Sequence, residues 1–133
     1  MFPSVKTVRP KAQLVVVVDD DESVRSAVQG ALESIDLLAR SFGSAREFLE
    51  SGVQSETACL ITDLQMPGMS GLELQAKLAE DDQRIPIIFI TAYGDPRMRA
   101  QAMRAGALEF LDKPFDDGAL LETVRAALAA KRV

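Results

Sequence analysis

The residues able to do chemistry gather in four short stretches. "VVVVDDDES" at 15–23 runs four valines into Asp19, Asp20 and Asp21. "ACLITD" at 58–63 ends on Asp63, "PIIFIT" at 86–91 ends on Thr91, and "ALEFLD" at 107–112 is followed by Lys113 and Pro114. Two carboxylates about 4 Å apart repel by roughly 4 kcal/mol at an effective dielectric near 20. A fold tolerates that at a solvated strand end, or where a cation settles the charge. Hard oxygen ligands select a hard cation, and a few carboxylates with retained waters suit Mg2+. A metal beside a free carboxylate, with a hydroxyl and an ammonium nearby, can stabilise the oxygens of a phosphoryl group. The carboxylate can itself accept that group as an aspartyl-phosphate. An ionised carboxylate needs no general base, which fits a chain without histidine.

The elements between these stretches decide whether the groups meet. The apolar, β-branched run at 14–18 predicts a buried strand. Val24, Val28, Ala31, Leu32 and Ile35 recur at helical spacing. "LLARSF" at 37–42 predicts a short strand. Ser44 with Glu47 has capping-box spacing before a short helix carrying Phe48 and Leu49, closed by Gly52. The third strand is 58–63, and "MPGMSG" after it is turn punctuation. Ser70 with Glu73 opens a helix with Leu74 and Leu78 on one face. The fourth strand is 86–91. Asp95 caps a helix with Pro96 at its first position, and Gly106 ends it. The fifth strand is 107–112. A last helix carries Leu120, Val124 and Leu128. Five β-α units with short connections imply an α/β fold with a parallel sheet covered on both faces. In such a sheet the carboxyl ends of the strands share one edge, where ligands bind. Asp19, Asp20, Asp63, Thr91 and Lys113 all fall there.

The chain has 133 residues, which suits one domain, and its net charge of −5 argues against nonspecific nucleic-acid binding. One cysteine, Cys59, and no histidine exclude an internal disulfide, a zinc site of the usual His/Cys kind and any imidazole base. Cys59 in "ACLIT" reads as a buried small hydrophobe, and the cysteine usage suits a reducing cytoplasm. No segment has the ~18 apolar residues of a membrane span. Residues 1–12 read as an extension before the domain, not a signal peptide.

Four motifs together resemble the receiver domain of two-component response regulators: "VVDDDESVR", "LITDLQMPGMSGLEL", "IPIIFITAYGD" and "AGALEFLDKPF". The match spans roughly residues 13–130, and the "DKPF" ending is most similar to the nitrogen-fixation regulator branch. The resemblance implies a doubly wound five-stranded parallel sheet in the flavodoxin-like order 2-1-3-4-5. It implies that Asp63 is the phosphoacceptor. Asp20 would ligate Mg2+ directly (with Mn2+ able to substitute), Asp19 mainly through water, and Gln65 through its backbone carbonyl. Thr91 would be the hydroxyl that moves to the phosphoryl group, Lys113 its ammonium partner, and Phe110 the aromatic that turns inward. The Lys113–Pro114 peptide would be cis. Gln65 and Tyr93 would tune the phosphoryl lifetime. The implied donor is a histidine kinase or a histidine-phosphotransfer protein, the implied output the face of helix four, strand five and helix five, with homodimerisation on phosphorylation. The domain would touch neither nucleic acid nor membrane, and would modify itself without turning over an outside substrate.

Each residue also has a plainer reading. Asp21 suits a helix N-cap. Taken alone, Asp19 and Asp20 suit a solvated loop, Lys113 the surface, Thr91 an ordinary strand end and Phe110 the core. Met66, Met69, Met98 and Met103 suit core and loop packing. A Mg2+-dependent phosphohydrolase would place its nucleophile after the first strand in a D-x-D pattern with a cap insertion, where this chain has "DDDES" and short loops. A nucleotide or flavin module would have a glycine-rich turn there instead. Val133 falls just past the last helix, as in a stand-alone receiver or one cut from a longer regulator.

Overall fold

The computed structural model describes residues 13–92 and 94–131. The expected extension at 1–12 and Tyr93 lie outside the described residues. The order is β1 (Leu14–Val18), α1 (Glu22–Glu33), β2 (Leu38–Phe42), α2 (Ala45–Ser51), a 3-10 turn at Gln54–Glu56, β3 (Thr57–Asp63), α3 (Gly71–Glu80), β4 (Ile87–Thr91), α4 (Pro96–Arg104), β5 (Glu109–Asp112) and α5 (Asp117–Lys131). The five strands form one parallel sheet in the order β2-β1-β3-β4-β5.

Period-two alternation divides the sheet between two cores. Val16, Val18 and Leu60 face one way and pack with Phe48 of α2, Leu74 and Leu78 of α3 and Ala102 of α4. Val15, Val17, Cys59 and Ile61 face the other and pack with Val28 and Leu32 of α1 and Leu120 and Val124 of α5. Both faces of β1 and β3 are therefore covered, which is why these strands read as unbroken apolar runs. Cys59 is buried, as its neighbours suggest.

β2 and β4 each begin one residue later than expected, at Leu38 and Ile87, and β3 one residue earlier, at Thr57; the other local signals hold with three larger displacements. Asp21 caps α1 by accepting from the Ser23 amide, and Ser70 with Glu73 forms a complete capping box on α3. Asp95 caps α4, with Pro96 in the first turn. The Ser44–Glu47 box is only half formed. Ser44 Oγ accepts from the Glu47 amide at 3.1 Å, but the Glu47 carboxylate takes the Gly43 amide at 3.3 Å. The Arg25 guanidinium also borders Gly43. Ile35 falls beyond α1, in a turn where its amide donates to Leu32. β5 begins at Glu109, not at 107, because the Ala107 amide is spent on the Ala102 carbonyl in closing α4. Gly106, at φ 104°, permits that closure.

Gly71 brings α3 onto the end of β3. Its amide donates to the Leu64 carbonyl at 2.9 Å. A methyl at this position would overlap the Asp63 carbonyl oxygen and lie 3.0 Å from the Phe89 ring. Gly71→Ala is therefore expected to destabilise the fold by roughly 1–3 kcal/mol, as overpacking does. The check is urea denaturation, and an unchanged midpoint would mean that the backbone there has room to yield.

Candidate functional site

Four strands deliver the site. Val18 pairs with Thr62, so Asp19, the next residue of the first chain segment, stands beside Asp63. Thr91 pairs with Asp112, and the Lys113 amide donates to the Thr91 carbonyl at 2.8 Å. That bond fixes where the Lys113 side chain starts. Its ammonium then reaches Asp19 Oδ2 at 2.8 Å and Asp63 Oδ2 at 3.1 Å. The Lys113–Pro114 peptide is cis.

The carboxylates are not equivalent. Asp19 is fully buried and Asp63 is 8% exposed, whereas Asp20 is exposed. Asp19 Oδ1 accepts from the Asp21 amide at 2.9 Å, and Asp63 Oδ1 from the Gln65 amide at 3.2 Å. One ligand oxygen from each of Asp19, Asp20 and Asp63 lies within 4.8 Å of the others. Three carboxylates against one ammonium leave two negative charges uncompensated, the charge of one divalent cation. Such an all-oxygen donor set fits a hard cation.

One ammonium shared by two buried carboxylates explains the proton affinities. Burial raises Asp63 above the ordinary carboxylate range. The Lys113 hydrogen bond and charge oppose that rise without cancelling it, and the charge on Asp19 adds to it. For Lys113 burial acts downward, but hydrogen bonds to Asp19 and Asp63 outweigh it and hold the ammonium above its usual range. Asp21, by contrast, is lowered by its bonds to the Ser23 side chain and amide, as befits a cap.

The structure therefore brings Asp19, Asp20, Asp63 and Lys113 into one cluster, with Thr91 buried on the neighbouring strand end. Gln65 is at the cluster through its amide, and its side chain turns away to donate to Met98 Sδ at 3.4 Å. Phe110 is buried and stacks on Phe89 at 5.2 Å between ring centres. Met66 joins the core, whereas Met103 is exposed.

Two arginines next to these groups carry no sequence signal of their own. Arg99 of α4 lies 4.9 Å over the Phe110 ring and pairs with Asp112 at 3.1 Å. Arg25 of α1 donates to the Asp19 carbonyl at 2.6 Å. Both contacts join elements distant in the chain or off the helical period, so spacing does not announce them.

A doubly wound sheet with an acidic cluster and a lysine at its carboxyl edge defines a class of signalling receivers. Residues 15–125 match the response regulator receiver domain family, and the chain belongs to it. It is similar to the transcriptional regulatory protein TdiR of Thauera aromatica, at 46% identity over 121 residues, covering 91% of this chain and 53% of that protein. Nodulation protein W of Bradyrhizobium diazoefficiens is 46% identical over 119 residues, covering 90% and 52%. The nitrogen-fixation branch is represented by FixJ of Azorhizobium caulinodans, 42% identical over 119 residues, covering 90% and 56%. The chain thus spans about half the length of the curated relatives it matches. Among solved structures it is similar to the response regulator StyR, with TM-score 0.85 and 45% identity over 91% of this chain and 61% of that one. FixJ-N gives TM-score 0.81 and 37% identity over 90% and 96%. Among the described residues no helix is long and apolar enough to cross a membrane.

The raised proton affinity of Asp63 has a definite consequence. Its folded value lies above the unfolded 3.8. Between those values the native state binds more protons than the unfolded one, so stability falls as pH rises through the interval. Above it the penalty of the buried charge is complete. Asp63→Asn removes that penalty, so the metal-free variant should melt higher than the wild type at neutral pH. The difference should vanish as pH falls below 3.8. Melting temperatures across that range provide the check, and a variant that melts lower at neutral pH would contradict the assignment.

Proposed function

We propose that residues 13–130 act as a phosphorylation-controlled switch in which Asp63 accepts a phosphoryl group from a phosphohistidine. The observation that carries this reading is the Lys113 ammonium held between Asp19 and Asp63, at 2.8 and 3.1 Å, in a cluster two positive charges short of balance. Asp19, Asp20 and Asp63 would hold Mg2+, with the Gln65 carbonyl as a further donor and Mn2+ as a substitute. When bound, the cation supplies charge neutralisation for the incoming phosphoryl oxygens.

The remaining work falls to the chain. An Asp63 carboxylate oxygen attacks phosphorus in line. The P–O bond forms as the P–N bond breaks, and the donor imidazole leaves with the electron pair. Lys113 leaves part of its contact with the carboxylates and pairs with a phosphoryl oxygen. Asp19 remains as the fixed counter-charge that keeps the ammonium in the site. Thr91, tied through its carbonyl to the Lys113 amide, turns its hydroxyl to the new group. Because the modified residue is the protein's own, the chain is a signalling component and turns over no outside substrate.

The same bonds supply a route outward. Thr91 and Lys113 sit at the carboxyl ends of β4 and β5, and Phe110, three residues before Lys113, packs between Phe89 and Arg99. A shift there changes the surface of α4, β5 and α5. Moving such an equilibrium from 1:99 to 99:1 takes about 5.5 kcal/mol, within reach of a few charge-assisted bonds in a partly dry site. The donor is a histidine kinase or a histidine-phosphotransfer protein in the cytoplasm, and homodimerisation through the altered face is one output. Relatives named as transcriptional regulators are about twice as long as the matched region, so control of a transcriptional output, without direct nucleic-acid contact by this domain, belongs to the same reading.

Intact mass after incubation with Mg2+ and acetyl phosphate tests it. The wild type should gain one phosphoryl group, and neither Asp63→Asn nor the wild type without Mg2+ should gain any. Equal labelling of Asp63→Asn would remove Asp63 from its role.

A further inference from the structure

Asp19 offers four polar positions, and each has a partner. Its Oδ1 accepts from the Asp21 amide at 2.9 Å and its Oδ2 from Lys113 at 2.8 Å. Its amide donates to the Phe42 carbonyl at 3.1 Å. Its carbonyl accepts from Arg25 Nη1 at 2.6 Å. The last bond differs from the others in what it controls. The carbonyl of Asp19 and the amide of Asp20 belong to one planar peptide unit. Holding the carbonyl fixes the rotation of that plane, and the plane places the Asp20 Cα from which the side chain departs.

Asp20 needs such a hold. Its side chain is exposed, at the point where β1 has ended and α1 has not begun, yet one of its oxygens stays within reach of Asp19 and Asp63. Packing does not orient an exposed carboxylate in a turn, so the backbone must. Arg25 is well suited to hold that backbone. It is half-buried on α1, and Gly43 borders its guanidinium on a second side.

We propose that Arg25 is a positioning residue for the cation site, acting by fixing the Asp19–Asp20 peptide and so aiming the Asp20 carboxylate into the cluster. The inference rests on the reading of that cluster as a Mg2+ site. Removing a partner that orients a metal ligand costs 10–100-fold in metal affinity, and because Arg25 acts at one remove the lower end, about tenfold, is expected.

The test is Mg2+ binding by calorimetry to the wild type, Arg25→Met, Arg25→Lys, Asp20→Asn and the double variant Arg25→Met/Asp20→Asn. Urea midpoints for each monitor the fold. Arg25→Met keeps the aliphatic stem and should lose about tenfold in affinity. Arg25→Lys, which still carries a donor, should lose less. In the Asp20→Asn background Arg25→Met should cost nothing further, because the group it aims is no longer a charged ligand. An equal loss in both backgrounds would mean general loosening and would overturn the proposal, as would unchanged affinity in Arg25→Met. If Arg25→Met does not fold, Arg25→Lys replaces it in the same cycle with the same requirement. Failure of both to fold assigns Arg25 to stability and overturns the proposal too. A wild type that binds no Mg2+ overturns the cation site itself, and the role of Arg25 with it.

Discussion

Everything at the carboxyl edge of this sheet depends on one ammonium standing between two buried carboxylates. Lys113 touches Asp19 and Asp63 while remaining only 18% exposed. An unpaired charge so placed would be costly, and a paired one is tolerated only when its hydrogen bonds are met. Both carboxylates meet that condition: Asp19 accepts from the Asp21 amide and Lys113, and Asp63 from the Gln65 amide and Lys113. Burial nevertheless keeps the proton affinity of Asp63 raised. The cluster is thus held together and left short of positive charge at once, which suits it to a hard cation and, in the proposed function, to a phosphoryl group.

The scaffold exists to maintain that imbalance. β1 and β3 are adjacent and buried on both faces, so the segments that end in Asp19 and Asp63 cannot drift relative to each other. Lys113 arrives from the far side of β4, anchored by its amide to Thr91. Gly71 lets α3 close against the Asp63 backbone. Short connections run from Asp63 to Lys113, from the Lys113 amide to Thr91, and from Phe110 to Arg99 on α4, and these are the contacts the proposed switch would use.

How much of this was legible in the sequence follows from the range of each interaction. Strands buried on both faces write themselves as apolar runs, so β1, β3 and β4 were readable almost to the residue. Caps at Asp21, Ser70 and Asp95 were readable because the bonds are local. Where another partner competes for the same group, local reading slipped. Glu47 turned toward Gly43, and Ala107 spent its amide on α4. The acidic residues and Lys113 were identifiable from their places at strand ends and from the family pattern. Their unequal burial was not, since Asp19 and Asp20 are neighbours in sequence yet one is enclosed and the other solvated. Arg25 and Arg99 were silent because arginines on helices are ordinary until the fold supplies a carbonyl or a ring for them to meet.

The sharing of Lys113 between the carboxylates makes a prediction with two signs, and calorimetry on the wild type and Lys113→Met reads both. Removing the ammonium takes a competing positive charge out of the cluster, so Mg2+ should bind the variant more tightly. Beryllofluoride, which presents phosphoryl-like electronegative atoms to Asp63 in the presence of Mg2+, should bind it more weakly, because the group that would meet those atoms is gone. Tighter Mg2+ binding with weaker beryllofluoride binding is the result expected of a shared counter-charge. Unchanged binding of both, or a parallel loss of both with the fold intact, would contradict it.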